Sequence, residues 1–294
     1  VLELHQIDRF FGERHVLHEV SFPVRPGVLT GFIGANGAGK TTTMRIVLGV
    51  IGADAGRVLW DGRPLERSTR RTFGYMPEER GLYPKMKVLD QLVHLGRLFG
   101  LRPAEAAERA MRLLTSLGVA DRAGDRLDSL SLGNQQRVQV AAAVIHDPRA
   151  LVLDEPFSGL DPVAVDVMAG MLRARADLGN PVLFSSHQLD LVERLCDDIV
   201  IIDRGTVVVA GPSERIRRER SGSRFRLVVG GPTEWLRPDP RWKVLELEGP
   251  RALVELLDAD DEQPLLARAL EHGPVHEFGP VVPTLAEIYR ETVR

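Results

Sequence analysis

The chain has 294 residues, of which 44% are hydrophobic and 27% charged, with Lys+Arg at 38 against Asp+Glu at 41 and a net charge of −3. That length suits two domains or one large one, and the apolar fraction can bury a sizeable core, which excludes a disordered tail. The near balance of charge speaks against a dedicated nucleic-acid binder, which carries a strong basic excess, so no nucleic-acid partner is expected.

From Val1 to Ile7 the apolar and polar residues alternate, as in a half-buried strand, and a second strand is predicted over Val20 to Val24. Pro26-Gly27 then turns the chain into Val28-Leu-Thr-Gly-Phe-Ile33. That run is short and almost wholly apolar and stops at a glycine-rich loop, so it reads as a buried strand of a parallel sheet. A helix is predicted over Thr41 to Val50. The block from Val88 to Leu117 is helix-rich, with Ala104 to Leu117 amphipathic. Because it lies between sheet strands, it is expected to form a lobe of its own over about residues 86–148. Apolar strands follow at Ala150 to Leu153, Pro181 to Ser185 and Ile199 to Asp203, separated by helical periodicity. This alternation predicts an α/β unit built on a parallel sheet with helices on its faces. The single cysteine, Cys196, sits in the helically spaced run Leu191-Val-Glu-Arg-Leu-Cys and is expected to be a core thiol. It can form neither an intrachain disulfide nor a cysteine metal cluster, so a reducing compartment is permitted.

Between Glu214 and Arg226 six arginines occur, Arg215, Arg217, Arg218, Arg220, Arg224 and Arg226. They are expected to be a solvated helix end and linker, not an anion-binding patch. The linker Ser221-Gly-Ser223 marks a boundary, giving domains 1–220 and 221–294. The second domain reads as strand Arg224 to Val229, short helix Thr233 to Leu236, and strands Trp242 to Glu248 and Ala252 to Leu257. Helix Pro264 to Glu271, strand Val275 to Phe278 and helix Thr284 to Thr292 complete it. The first six elements follow the βαββαβ order of a small α+β, ferredoxin-like unit. No apolar stretch approaches the ~20 residues needed to span a bilayer, and no signal-peptide pattern precedes the first strand. The chain by itself is expected to be soluble.

Residues Gly34-Ala35-Asn36-Gly37-Ala38-Gly39-Lys40-Thr41 match the pattern G-x-x-x-x-G-K-[ST]. Glycines let successive backbone N–H groups curl toward phosphate oxygens, and the following helix adds its positive N-terminal end. Lys40 is one of only four lysines in the chain. It supplies a point charge to the β- and γ-phosphates, and the Thr41 hydroxyl is a hard ligand for Mg²⁺. With a buried strand before it and a helix after it, this loop is a nucleotide site. The second anchor is Ala150-Leu-Val-Leu-Asp154-Glu155-Pro156, an apolar strand ending in two carboxylates. Asp154 is placed to reach the Mg²⁺ shell, directly or through water, and Glu155 to polarise an attacking water beside the γ-phosphate. His146 is expected to be a loop or core histidine, and Trp60, Trp235 and Trp242 to be packing residues. No cluster has transition-metal spacing, so Mg²⁺ is the one metal inferred.

Leu130-Ser-Leu-Gly-Asn-Gln-Gln-Arg137 resembles the signature motif of the ATP-binding subunits of ABC transporters, usually LSGGQxQR. Ser158-Gly-Leu-Asp161 resembles that family's D-loop, and Ser186-His187 its switch histidine. Phe11 falls where an aromatic ring stacks on adenine. Glu78, in Tyr75-Met-Pro-Glu-Glu-Arg-Gly-Leu-Tyr-Pro, occupies the Q-loop position. The resemblance covers residues 1 to about 215. It implies a P-loop ABC-type ATPase domain with antiparallel β and helical subdomains, followed by the small accessory domain. It further implies that Phe11, residues 34–41, Thr42 and Glu78 contact ATP, that Thr41, Glu78 and Asp154 serve Mg²⁺, and that Glu155 and His187 are catalytic. Ser131, Gly133 and Asn134 would reach the ATP of a second subunit, a copy or a paralogue, in a head-to-tail dimer. A separate membrane permease would be the other partner, placing the chain at the cytoplasmic face of the cell membrane.

Four positions depart from the commonest pattern: Leu132 for glycine, Asn134 for glutamine, Glu78 for glutamine and Phe11 for tyrosine. Phe11 keeps an aromatic face and Asn134 an amide, and Glu155 and His187 are both present, as a hydrolytically competent site requires. The subgroup with this signature and a small C-terminal domain drives bacterial efflux of drugs or sodium. The rivals are a soluble ABC-type ATPase outside transport and a non-hydrolysing ATP-responsive module. Neither long heptads nor a second cassette occurs, as the soluble relatives would require, and Glu155 with His187 opposes the third reading.

Overall fold

The computed structural model describes residues 1–79, 81–221 and 223–293. Arg80, inside the segment read from Tyr75 to Pro84, and Gly222, inside the expected linker, lie outside the described residues, as does Arg294. The chain divides into two compact units, Val1–Ser213 and Glu214–Arg294. The division falls before the arginine-rich segment, ahead of the linker expected at Ser221–Ser223.

The first unit contains two sheets. The larger has the strand order Thr206–Pro212, Asp198–Asp203, Leu29–Ile33, Val182–Ser186, Ala150–Leu153, Phe73–Met76. Its pairs are parallel except for the antiparallel edge strand Thr206–Pro212. The strands Leu29–Ile33, Ala150–Leu153 and Val182–Ser186 are buried at every residue, as their apolar runs require of a sheet covered on both faces. The smaller, antiparallel sheet has the order Arg14–Val24, Leu2–Phe11, Ala55–Trp60, Arg63–Pro64. Leu4, Ile7, Phe22, Phe32, Met44 and Ile202 share one buried cluster that joins both sheets to the helix Lys40–Val47.

Three differences from the sequence reading have identifiable causes. Leu2–Phe11 runs past Ile7 because its pairing tolerates irregular register, with Gln6 at φ 48°. The antiparallel edge strand Thr206–Pro212 was hidden because its exposed and covered positions alternate through the near-uniform run Val-Val-Val-Ala, which carries no polar–apolar period. Phe73–Met76 was hidden by Gly74, which reads as a breaker. A Cβ on Gly74 would stand 2.3 Å from the Ala143 carbonyl oxygen. The glycine is there because a helix crosses directly over the strand backbone.

The helical lobe comprises Val88–Leu98, Pro103–Ser116 and Leu132–Val144. Its own buried cluster includes Val88, Leu92, Ala110, Leu114, Val138 and Ile145. Each fully buried leucine there contributes about 1.5–3 kcal/mol. Cys196 is a buried core thiol beside Gly31 and Val192, and burial pushes its pKa well up. His146 packs as expected of a core residue, its ring stacked on Phe99 at 3.7 Å and burial lowering its pKa.

The second unit is a four-stranded antiparallel sheet in the order Trp242–Glu248, Arg251–Leu256, Arg224–Val229, Val275–Pro280. In chain order this is 2-3-1-4, the arrangement of a ferredoxin-like unit. Its first helix is reduced to a single 3₁₀ turn, Glu234–Leu236. The helix Glu262–Glu271 buries Leu265 and Ala269 against Phe225, Leu227, Trp242 and Val254. The tryptophans pack: Trp60 against Phe73, Trp235 on His272, and Trp242 with its Nε1–H donated to the Leu236 carbonyl. The arginine run is a solvated surface. Arg215 pairs with Glu219, Arg218 with Glu214, Arg224 with Glu255 and Arg226 with Glu277. Arg217 donates to the Pro283 carbonyl and Arg220 to the Thr292 hydroxyl.

Asp239 is the buried charge among the described residues of this unit, its side chain 4% exposed. The Arg241 guanidinium donates to both its oxygens at 3.0 and 2.7 Å, and Arg268 adds a bond at 3.0 Å. The Arg241 bonds hold the carboxyl down to about 2, below the ordinary 3.8. A depressed folded-state pKa means stability that is complete above the unfolded value and lost as pH falls through the folded one. Asp239→Asn is therefore expected to destabilise the second unit at neutral pH and to flatten its acid limb between roughly pH 4 and 2. Thermal unfolding across that range, which should separate wild type from variant less as pH falls, checks it.

Candidate functional site

The strand Leu29–Ile33 delivers the phosphate loop. Gly37 at φ 81° and Gly39 at φ 112° occupy left-handed backbone, where side chains are strained. At Gly39 a Cβ would also stand 2.6 Å from Leu17 Cδ2. Lys40 opens the following helix with 7% exposure, and its Nζ donates to the carbonyls of Gly34 at 2.6 Å and Ala35 at 3.2 Å. The ammonium is thus held inside the loop, with the helix N-terminus behind it. A cavity of about 490 Å³ opens here, lined by Phe11, Arg14, Lys40, Thr41, Glu78 and Asp154 among others. Phe11 is half exposed at its rim, with the Arg9 guanidinium 4.8 Å from its ring centre. Arg14 and Val16 also line the cavity, and sequence reasoning passed over both.

Opposite the loop, the strand Ala150–Leu153 ends in Asp154 and Glu155, both buried. Thr41 Oγ1 donates to Asp154 Oδ2 at 2.8 Å, and Ser185 Oγ donates to Asp154 Oδ1 at 2.5 Å. The same Ser185 oxygen accepts the Glu155 backbone N–H at 2.8 Å. Glu155 sits at φ 52°, a left-handed conformation that costs a non-glycine residue about 1–2 kcal/mol. Such strain at a buried carboxylate is typical of functional positions. His187 Nδ1 lies 3.0 Å from Glu155 Oε2. One chain of contacts therefore runs from Thr41 through Asp154, Ser185 and Glu155 to His187. Ser185 was missed. The run Phe184-Ser-Ser-His187 offered a signal, a hydroxyl at the end of a neighbouring strand, but nothing local says that it faces Asp154.

The signature residues stand elsewhere. Ser131 caps the helix Leu132–Val144, accepting the Asn134 N–H at 3.3 Å, and Ser131 and Leu132 are exposed. Ser131, Gly133 and Asn134 do not line the nucleotide cavity of their own chain. A second cavity of about 430 Å³ joins Leu132, Ser158 and Gly159 to Asn36, Glu78, Glu155 and His187. Asp161 caps the helix Pro162–Asp177 by accepting the Ala164 N–H at 2.8 Å. Glu78 is exposed and faces both cavities.

A glycine loop with a buried lysine, facing a strand that ends in two carboxylates, defines a P-loop nucleotide-hydrolysing protein. Residues 17–158 match the ABC transporter family model, and residues 211–293 match the C-terminal domain of DrrA1-3-like ATP-binding proteins. The chain is 35% identical, over 100% of its length and 98% of the relative, to the ABC transporter ATP-binding protein YhaQ of Bacillus subtilis. It is 31% identical to the linearmycin resistance ATP-binding protein LnrL of the same organism, over 80% of this chain and 76% of that one. To the Nod factor export ATP-binding protein I of Cupriavidus metallidurans it is 33% identical, over 81% and 79%. A solved ATP-binding subunit of an ABC transporter superposes with a TM-score of 0.68 at 32% identity, over 74% of this chain and 92% of that one. The chain belongs to the ATP-binding proteins of ABC transporters, and it is an ATPase.

Proposed function

We propose that this ATPase closes head to tail with a second subunit around ATP and so drives export through a separate membrane permease. The observation that carries the reading is the Thr41–Asp154–Ser185–Glu155–His187 chain opening on the cavity of the phosphate loop. Lys40 and the N–H groups of residues 34–41 hold the β- and γ-phosphates, Thr42 lines the same cavity, and Phe11 offers its ring to adenine. Glu155 accepts a proton from the attacking water, and His187 orients that carboxylate. The hydroxyl of Thr41 and the carboxylate of Asp154, already 2.8 Å apart, with the exposed Glu78 carboxylate on the same cavity, are hard oxygen donors suited to Mg²⁺. When bound there, the ion would neutralise phosphate charge.

In this reading Ser131, Gly133 and Asn134, at a helix start outside their own nucleotide cavity, meet a second subunit's ATP, and Asp161, 3.9 Å from Arg137 of the same helix, borders that contact. Binding energy of ATP then becomes closure of the pair, and hydrolysis releases it. The relatives named for linearmycin resistance and Nod factor export support efflux of a drug-like or amphipathic cargo. Among the described residues no helix is long and apolar enough to cross a membrane. In this reading the permease holds the chain peripherally, at the cytoplasmic face.

The loop after Glu78 is the proposed permease contact. Tyr83 is 58% exposed there, whereas Leu82 packs partly against the helical-lobe cluster and is the poorer probe. Affinity purification of the tagged chain from its native membranes is expected to bring down a multi-span membrane protein. Tyr83→Glu should weaken that recovery severalfold while ATP binding stays unchanged. Recovery of no membrane protein, together with undiminished ATPase activity, would favour the soluble ATPase.

A further inference from the structure

The helix Leu132–Val144 carries two glutamines one turn apart, Gln136 and Gln139, with exposures of 7% and 4%. Their amides do not serve the helix. Gln136 Nε2 donates to the Glu155 carbonyl at 2.9 Å and the Pro156 carbonyl at 3.0 Å. Gln139 Nε2 donates to the Pro77 carbonyl at 2.8 Å and the Glu79 carbonyl at 3.4 Å. Both targets follow neighbouring sheet strands, and the Asp154 N–H donates to the Met76 carbonyl at 2.8 Å between them. At its far end the same helix presses against the bare backbone of Gly74. It is pinned by backbone contact at one end and by two buried amides in its middle, while its cap Ser131 and first residue Leu132 are exposed.

We infer that Gln136 is a positioning residue for hydrolysis, fixing the strained Glu155 backbone from the helix that also bears the signature residues. The inference rests on the proposed role of Glu155. Glu155 needs two restraints to hold φ 52° with its carboxylate toward the cavity: Ser185 on its N–H and Gln136 on its carbonyl. A buried carbonyl that loses its donor is left unsatisfied, and the chain relaxes to recover a partner. Relaxation here rotates the peptide that carries the carboxylate. Misplacing a reacting group by about 1 Å costs up to a hundredfold in rate. Gln136 also lines the second cavity with Leu132, Glu155 and His187, so one side chain ties the helix that bears the signature residues to the backbone that bears the carboxylate.

The test uses the full chain and four variants, Gln136→Met, Gln136→Glu, Glu155→Gln and the double variant Gln136→Met/Glu155→Gln. Gln136→Met keeps length and removes both donors. It is expected to lower kcat about tenfold or more, with ATP affinity by fluorescent-nucleotide titration within about threefold. In the double variant the further loss is expected to vanish, because both changes act through one group. Gln136→Glu sets a carboxylate oxygen against the two carbonyls, should lose at least as much, and serves if the methionine variant does not fold. Wild-type kcat in either folded Gln136 variant, or equal losses with and without Glu155, overturns the inference. Wild-type kcat in Glu155→Gln overturns instead the role given to Glu155.

Discussion

Glu155→Gln is expected to lower ATP turnover by about 10²–10⁴-fold while nucleotide affinity stays near that of wild type. The carboxylate is buried beside the phosphate loop, 3.0 Å from His187 Nδ1 and one residue beyond Asp154. An amide of the same size fills that space and can still accept a hydrogen bond from water through its oxygen. It cannot take the proton that the water releases as it attacks. Asp154 and Lys40, the groups proposed to meet metal and phosphate, are untouched, so ATP should still bind and the proposed closed pair of subunits should accumulate. Steady-state phosphate release and gel filtration with ATP measure the two halves of this result. Turnover above about a tenth of wild type would remove Glu155 from the role of general base.

Lys40→Ala is the complementary change, with its effect on binding. The ammonium is almost fully buried and donates to the carbonyls of Gly34 and Ala35. ATP brings negative charge against that loop, and a charge-assisted bond to it contributes about 1.5–3 kcal/mol. Its loss should weaken ATP affinity by roughly ten- to a hundredfold. Fluorescent-nucleotide titration measures it. The bond to Gly34 is buried and that to Ala35 partly so, and the variant is therefore also expected to lose about 1–3 kcal/mol of stability, read by thermal unfolding, while still folding. An unfolded variant would instead show that Lys40 holds the loop together in the absence of nucleotide.

Much of this site could be read along the chain. The phosphate loop is contiguous, and its chemistry depends on backbone freedom and one lysine in sequence, both visible in Gly34 to Thr41. Asp154 and Glu155 follow an apolar strand whose limits, Ala150 to Leu153, are those observed. The helical lobe and the strand order of the second unit were also legible, because periodicity and turn residues are local. The short strand Phe73–Met76 was not, since its glycine answers to the carbonyl of Ala143, about seventy residues away.

What the residues alone determine, then, is the set of chemical groups: a phosphate loop, a carboxylate pair, a histidine after a strand, and a capped signature helix. Which groups meet is a matter of register. Leu153 pairs with Phe184 in parallel strands, so the next step along the sheet sets Asp154 beside Ser185. Gln136 and Gln139 have the look of ordinary helix residues until the helix is laid across two strand ends and their amides find carbonyls 19 and 62 positions away. Short-range pattern reports on rotation, burial and turns, because those follow from neighbouring residues. A hydrogen bond between distant strands and helices depends on packing that places atoms to within a few tenths of an ångström, and that placement exists only in the folded chain.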